Sequence, residues 1–110
     1  GCSNPQNISY LFGRLIPAYP QVEFGAHLHT QAHNWREKIQ AAWQNGCRRF
    51  DGAIRGFGGC PMAKDDLTGN MATENLIFFL DEIGQNPSID RAAFARCMSM
   101  ALTVFPAGGK

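Results

Sequence analysis

The sequence predicts an α/β protein, and within that class a piece of a larger parallel-sheet domain. Three observations carry this. Apolar periodicity alternates between 3.6 and 2 residues, in the order helix, strand, helix, strand, helix, helix. Strands alternating with helices imply a parallel sheet with right-handed crossovers. Only two strands are readable, and the first element is a helix with no strand before it; two parallel strands leave their edges open and bury little. The 110 residues are therefore expected to form the C-terminal part of a larger α/β protein rather than a self-sufficient domain.

Asn4-Pro5 opens the first helix, because Asn caps well and Pro is tolerated at the first helical position. Ile8, Leu11, Phe12, Leu15 and Ile16 follow at helical spacing, and Pro17 and Pro20 are expected to stop it. Val22 to His29 reads as a strand, with Phe24, Ala26 and Leu28 on one face and Glu23, Gly25, His27 and His29 on the other. Asn34 to Asn45 is the second helix, with Asn34 and Glu37 spaced as a capping box. Its buried stripe is Trp35, Ile39, Ala42 and Trp43, and Gly46 suits the position after its end. Cys47 to Ile54 is a short strand, with Arg49 and Asp51 on the face of Ala53. A long loop follows. Ala72 to Ile83 forms the third helix, with Leu76, Phe79, Leu80 and Ile83 on one side. Ser88 or Asp90 caps a fourth, reaching Val104, with Phe94, Cys97, Met98, Ala101, Leu102 and Phe105 on its apolar face. The tail PAGGK is expected to fray.

Composition narrows the function classes. The chain is 45% hydrophobic and 17% charged, as globular proteins are, with a formal net charge of +1. That balance offers no electrostatic case for nucleic acid or an anionic membrane. No apolar run approaches a membrane span, and GCSNPQN lacks the regions of a signal peptide. The four cysteines, at 2, 47, 60 and 97, form no CxxC pair and read as thiols of a reducing, cytoplasmic compartment. Cys47 and Cys97 are expected to pack as small core residues.

The chemistry concentrates in two places. His27 and His29 lie two apart on one strand face, near its C-terminal end, so both imidazoles can address one ion; the bland alternative is a pair of surface or hydrogen-bonded histidines. His33 reads as a surface residue at a helix start. The second place is Arg55 to Leu76, a glycine-rich loop bearing one thiol, Cys60, and ending in a helix. Gly56, Gly58 and Gly59 allow positive φ and close approach to a ligand. Asn70 offers a hard amide oxygen suited to Mg²⁺ or Mn²⁺, or else is a plain helix N-cap.

Together these motifs resemble a known family. GAHLHT at 25–30, followed by GGCPMAKDDLTGNMATENL at 58–76, is similar to the 3-hydroxy-3-methylglutaryl-CoA (HMG-CoA) lyases. These belong to the metal-dependent lyase and Claisen-synthase superfamily, built on a (β/α)8 TIM barrel. HxH with a downstream Gly-Asn is shared across that superfamily; Gly-Gly-Cys-Pro points to the lyase branch. The resemblance implies that His27 and His29 bind the metal, that Asn70 is a further ligand and that Cys60 is the catalytic cysteine. Glu74 matches an acidic position and is either a support for the site or a first-turn helix acid. Residues 1–84 would be C-terminal barrel units and 85–110 an extra helix, with a metal-binding aspartate and an arginine supplied by absent strands. The sequence departs from the pattern at Thr30, where Asp is common, and at Ala53-Ile54-Arg55-Gly56-Phe57, where the family favours Ser-Val-Ala-Gly-Leu. The Cys60–Asn70 interval is about one residue longer than usual.

The implied reaction is metal-assisted retro-Claisen cleavage of an acyl-CoA substrate, HMG-CoA giving acetyl-CoA and acetoacetate. The implied cofactor is Mg²⁺ or Mn²⁺, and the expected partner is a second copy in a homo-oligomer. The isolated piece is expected to be inactive. A Claisen-type synthase and a non-catalytic, self-associating fragment are the rival readings.

Overall fold

The computed structural model describes residues 2–58 and 69–105. Helix α1, Pro5–Ala18, starts as the sequence predicts. Asn4 Oδ1 accepts from the Asn7 backbone N–H at 2.8 Å, and Asn7 Oδ1 accepts from the Asn4 N–H at 3.0 Å. This closes a capping box that satisfies two otherwise orphaned donors. Pro17 does not stop α1 but sits in its last turn. The buried seam is narrower than the apolar stripe. Ile8 is buried, with Phe12 and Ile16 packed on the core, whereas Leu11 is 52% exposed. Spacing of i, i+4, i+8 is the line along which α1 meets the next helix.

The single strand expected over Val22 to His29 is instead two two-residue strands, β1 Ala26–His27 and β2 His29–Thr30. β1 runs parallel to β3, Phe50–Asp51, with His27 opposite Asp51. β2 runs antiparallel to β4, Gly69–Asn70, with His29 opposite Asn70. The expected parallel pair is present as β1 and β3, but the expectation of two strands is corrected: among the described residues there are four very short ones in two sheets, and Gly-Asn is a strand rather than a helix start. The chain switches partners at Leu28, whose carbonyl accepts from the Met71 N–H at 2.9 Å. Beyond β3, Ala53 makes a parallel bridge to Ala72, with hydrogen bonds from Ala53 N to Met71 O and from Thr73 N to Ala53 O. The segment after Asn70 thus continues the parallel order.

Helix α2, Trp35–Gln44, follows Asn34, but the Asn34/Glu37 capping box does not form. Asn34 Oδ1 turns back to accept from the Gln31 N–H at 2.8 Å. Gly46, at φ 99°, takes the left-handed turn after the helix as expected. Helix α3, Thr73–Glu82, has Ala72 at its N-cap. Helix α4, Arg91–Val104, is capped by Asp90, which accepts from the Ala93 N–H at 3.0 Å.

Two apolar clusters meet at the strands. Ile8, Ala26, Ala42 and Cys47 form one, and Ile39, Met71 and Phe79 the other; Leu28 and Phe50 pack against both. Cys47 is in the core as expected, its Sγ 3.2 Å from the Arg49 carbonyl. Cys97 is not: it is exposed, because α4 buries only Ala101 fully and leaves Leu102 57% exposed. No described helix is long and apolar enough to cross a membrane.

Candidate metal centre

The partner switch at Leu28 builds the site. It gives each histidine its own cross-strand neighbour: Asp51 beside His27 and Asn70 beside His29. The two rings lie edge to face, with centroids 5.3 Å apart. His27 Nδ1 is 3.3 Å from Asp51 Oδ2, so its Nε2 is the nitrogen left to face outward. A carboxylate on one ring nitrogen fixes the orientation of the other, as in metal sites generally.

His29 is half-buried, and its Nδ1 is a buried atom without a hydrogen-bond partner among the described residues. Asn70 Oδ1 is the same. Buried polar atoms are rarely left so, because each costs its full desolvation. The amide is oriented by Asn70 Nδ2, which donates to the Phe57 carbonyl at 2.9 Å. With nitrogen committed there, oxygen is the atom the amide presents. The backbone is clamped too, since Asn70 N–H donates to the Gly58 carbonyl at 2.8 Å. Gly58 has φ 84°, and a Cβ on it would stand 2.8 Å from Asn70 Nδ2. The loop glycine expected to approach a ligand in fact approaches the candidate ligand side chain.

Burial pushes the His29 imidazole below its ordinary value of 6.5, and the neighbouring His27 acts the same way; the nearby Gly69 backbone opposes them. The ring is held neutral, the form that ligates metals. The folded value lies below the unfolded one, so the unfolded state binds the proton more readily. Stability contributed by the neutral ring is complete above 6.5 and is lost as pH falls from there toward the folded value. In chelator-treated full-length protein, the urea midpoint should fall between pH 7.5 and about 5.5, and His29→Gln should flatten that fall.

With this geometry established, three comparisons place the chain. No protein-family model matches it. It is 34% identical over 93 residues to (R)-citramalyl-CoA lyase of Chloroflexus aurantiacus, covering 84% of this chain and 29% of that protein. It is 30% identical over 96 residues to hydroxymethylglutaryl-CoA lyase of Pseudomonas mevalonii, covering 87% and 32%. Among solved structures, an HMG-CoA lyase of Acinetobacter baumannii, in complex with coenzyme A and 3-methylmalate, superposes with a TM-score of 0.75 at 31% identity, over 89% of this chain and 32% of that one.

The chain is a homologue of the HMG-CoA lyases over most of its length.

It spans about a third of the length of these lyases. Of the residues that the lyase resemblance singles out, His27, His29 and Asn70 come together here. Cys60 lies outside the described residues. Glu74 is engaged elsewhere: its Oε1 accepts from the Arg55 N–H at 2.9 Å. Among the described residues, no three His, Cys, Asp or Glu side chains group as metal ligands. The set here is two imidazoles and an amide oxygen. It suits a divalent ion between hard and borderline, and the two partnerless buried atoms fit that use.

Two residues near these three escaped sequence reasoning. Asp51 was read only as a polar-face residue; its signal was the parallel register that puts it opposite His27. Lys38 is 2% exposed, and its Nζ donates to the His29 carbonyl at 3.0 Å, tying α2 to β2. Its signal was its place inside the apolar stripe between Trp35 and Ala42. A cavity of about 520 Å³ lined by Phe24, Arg48 and Arg49 lies ahead of β1 and β3, away from the histidines.

Proposed function

We propose that this chain supplies part of the active site of a carbon–carbon lyase that cleaves HMG-CoA to acetyl-CoA and acetoacetate. It is read as a C-terminal segment of a (β/α)8 barrel. The observation that carries the proposal is a pair of buried atoms without partners among the described residues, His29 Nδ1 and Asn70 Oδ1, on residues paired across β2 and β4. His27, His29 and Asn70 would hold Mg²⁺ or Mn²⁺. When bound, such an ion lowers the pKa of a coordinated hydroxyl and so eases its deprotonation.

The chain's own residues then have defined tasks. Asp51 orients His27 through Nδ1. Burial keeps His29 neutral. Phe57 turns the Asn70 amide so that its oxygen faces the site. Loss of the C–C bond of a 3-hydroxyacyl thioester leaves a carbanion next to the thioester carbonyl. Cys60 is assigned the proton that this carbon takes up, since a thiol is a competent acid near neutral pH.

The identity to citramalyl-CoA lyase favours a second substrate reading within the same chemistry, with citramalyl-CoA as the thioester cleaved. One assay tests both. Chelator-treated full-length protein should release acetyl-CoA from one of the two thioesters only after Mn²⁺ or Mg²⁺ is restored. Cleavage of neither, with condensation of acetyl-CoA onto a 2-oxo acid instead, would establish a synthase.

A further inference from the structure

The segment that orients Asn70 is itself gripped by the C-terminal helix. Arg55 is the single non-glycine residue with positive φ among the described residues, at φ 59° and ψ 13°. That conformation favours glycine. Arg55 is held in it from two sides. Its N–H donates to Glu74 Oε1 on α3, and its Nε donates to the Met98 carbonyl on α4, both at 2.9 Å. Two residues on, the Phe57 ring stacks on Phe105, just past the end of α4, with centroids 4.6 Å apart and planes 28° apart. Phe57 then offers its carbonyl to Asn70 Nδ2, and Gly58 offers its carbonyl to Asn70 N–H. A continuous set of contacts therefore runs from α4 through Arg55 and Phe57 to the Asn70 carboxamide. Arg55 and Phe57 are also two of the positions at which the sequence departs from the lyase loop pattern.

We propose that Arg55 and Phe57 are positioning residues: they latch α4 to the 3₁₀ turn Ile54–Gly56 and through it set the direction in which Asn70 presents its oxygen. This rests on Asn70 being a metal ligand. A carbonyl displaced with Phe57 releases Nδ2, and an amide free to rotate presents nitrogen as readily as oxygen. Metal affinity therefore depends on a helix that contributes no ligand. An outer partner that orients a metal ligand is typically worth about 10–100-fold in affinity.

The test is Mn²⁺ titration calorimetry on the full-length protein, with thermal unfolding of each variant alongside. Arg55→Gly isolates the guanidinium, because glycine suits φ 59° at least as well as arginine does. It should weaken Mn²⁺ binding about tenfold with the melting temperature held or raised. Arg55→Lys, which can still reach the Met98 carbonyl, should recover part of that loss. Phe105→Ala should weaken binding independently of the backbone at 55. Asn70→Ala is the control. If it weakens Mn²⁺ binding while Arg55→Gly and Phe105→Ala leave it unchanged, the latch is overturned and the metal reading stands. An Asn70→Ala protein that binds Mn²⁺ as the parent does overturns both. Affinity losses in Arg55→Gly and Phe105→Ala that merely accompany a lost unfolding transition also overturn the latch.

Discussion

Replacing Cys60 with serine in the full-length protein should cut turnover by about 10²–10⁴-fold, the range for a lost general acid, and leave Mn²⁺ affinity unchanged. The expectation rests on acidity. A thiol of ordinary pKa about 8.5 can give a proton to a forming carbanion near neutral pH, whereas an aliphatic hydroxyl is a far weaker acid. The described thiols do not offer a substitute. Cys47 is buried, and desolvation pushes its thiol up, although hydrogen bonding from the Arg49 backbone works the other way. Cys97 projects from the exposed side of α4, and Cys2 precedes α1. Turnover at saturating substrate and calorimetric Mn²⁺ affinity are the two readouts. Normal turnover in the serine variant would remove Cys60 from the role.

Asn70→Ala should have the largest effect on the metal itself, weakening Mn²⁺ binding by about 100-fold or more, since a ligand is lost and not only an outer partner. The same change removes the Nδ2 bond to the Phe57 carbonyl and should lower folding stability by about 1 kcal/mol, the usual net value of one hydrogen bond. The two effects are separable. Asn70→Asp keeps an oxygen donor and adds charge, but gives up the bond to Phe57. It should share the alanine variant's stability loss while binding Mn²⁺ more tightly than alanine does. Calorimetry and urea denaturation of the apo protein measure the pair. Equal Mn²⁺ affinity in the alanine variant and the parent would take Asn70 out of the ligand set.

The helices were legible because their signals are local. Asn4-Pro5, Gly46 and Asp90 each mark an end through backbone chemistry within a few residues. The histidine face was legible for the same reason: a period of two survives even where the strand does not. The extent and partners of the strands were not legible, because the two short pairings, β1 with β3 and β2 with β4, are set by register between distant segments, and no local pattern encodes the switch at Leu28. Asn34 shows the limit of spacing: its capping-box partner is in place, yet its side chain bonds backward to Gln31. Lys38 shows the limit of residue type. A lysine reads as solvent-facing until a carbonyl, that of His29, is found for its ammonium. Cys97 erred the other way: an apolar stripe on α4 predicts burial only where something packs on it. The motif thus named residues that come together, His27, His29 and Asn70, but not the contacts that hold them.

The bond from the Asn70 N–H to the Gly58 carbonyl carries an evolutionary consequence. It joins two backbone atoms and so fixes the separation of positions 58 and 70. Adding a residue to a loop of this size costs only about 0.1 kcal/mol in closure entropy. A change of one residue in the length between 58 and 70 therefore carries only that small entropic cost for this bond. A lineage can change the length there, one codon at a time, and keep the bond that clamps Asn70.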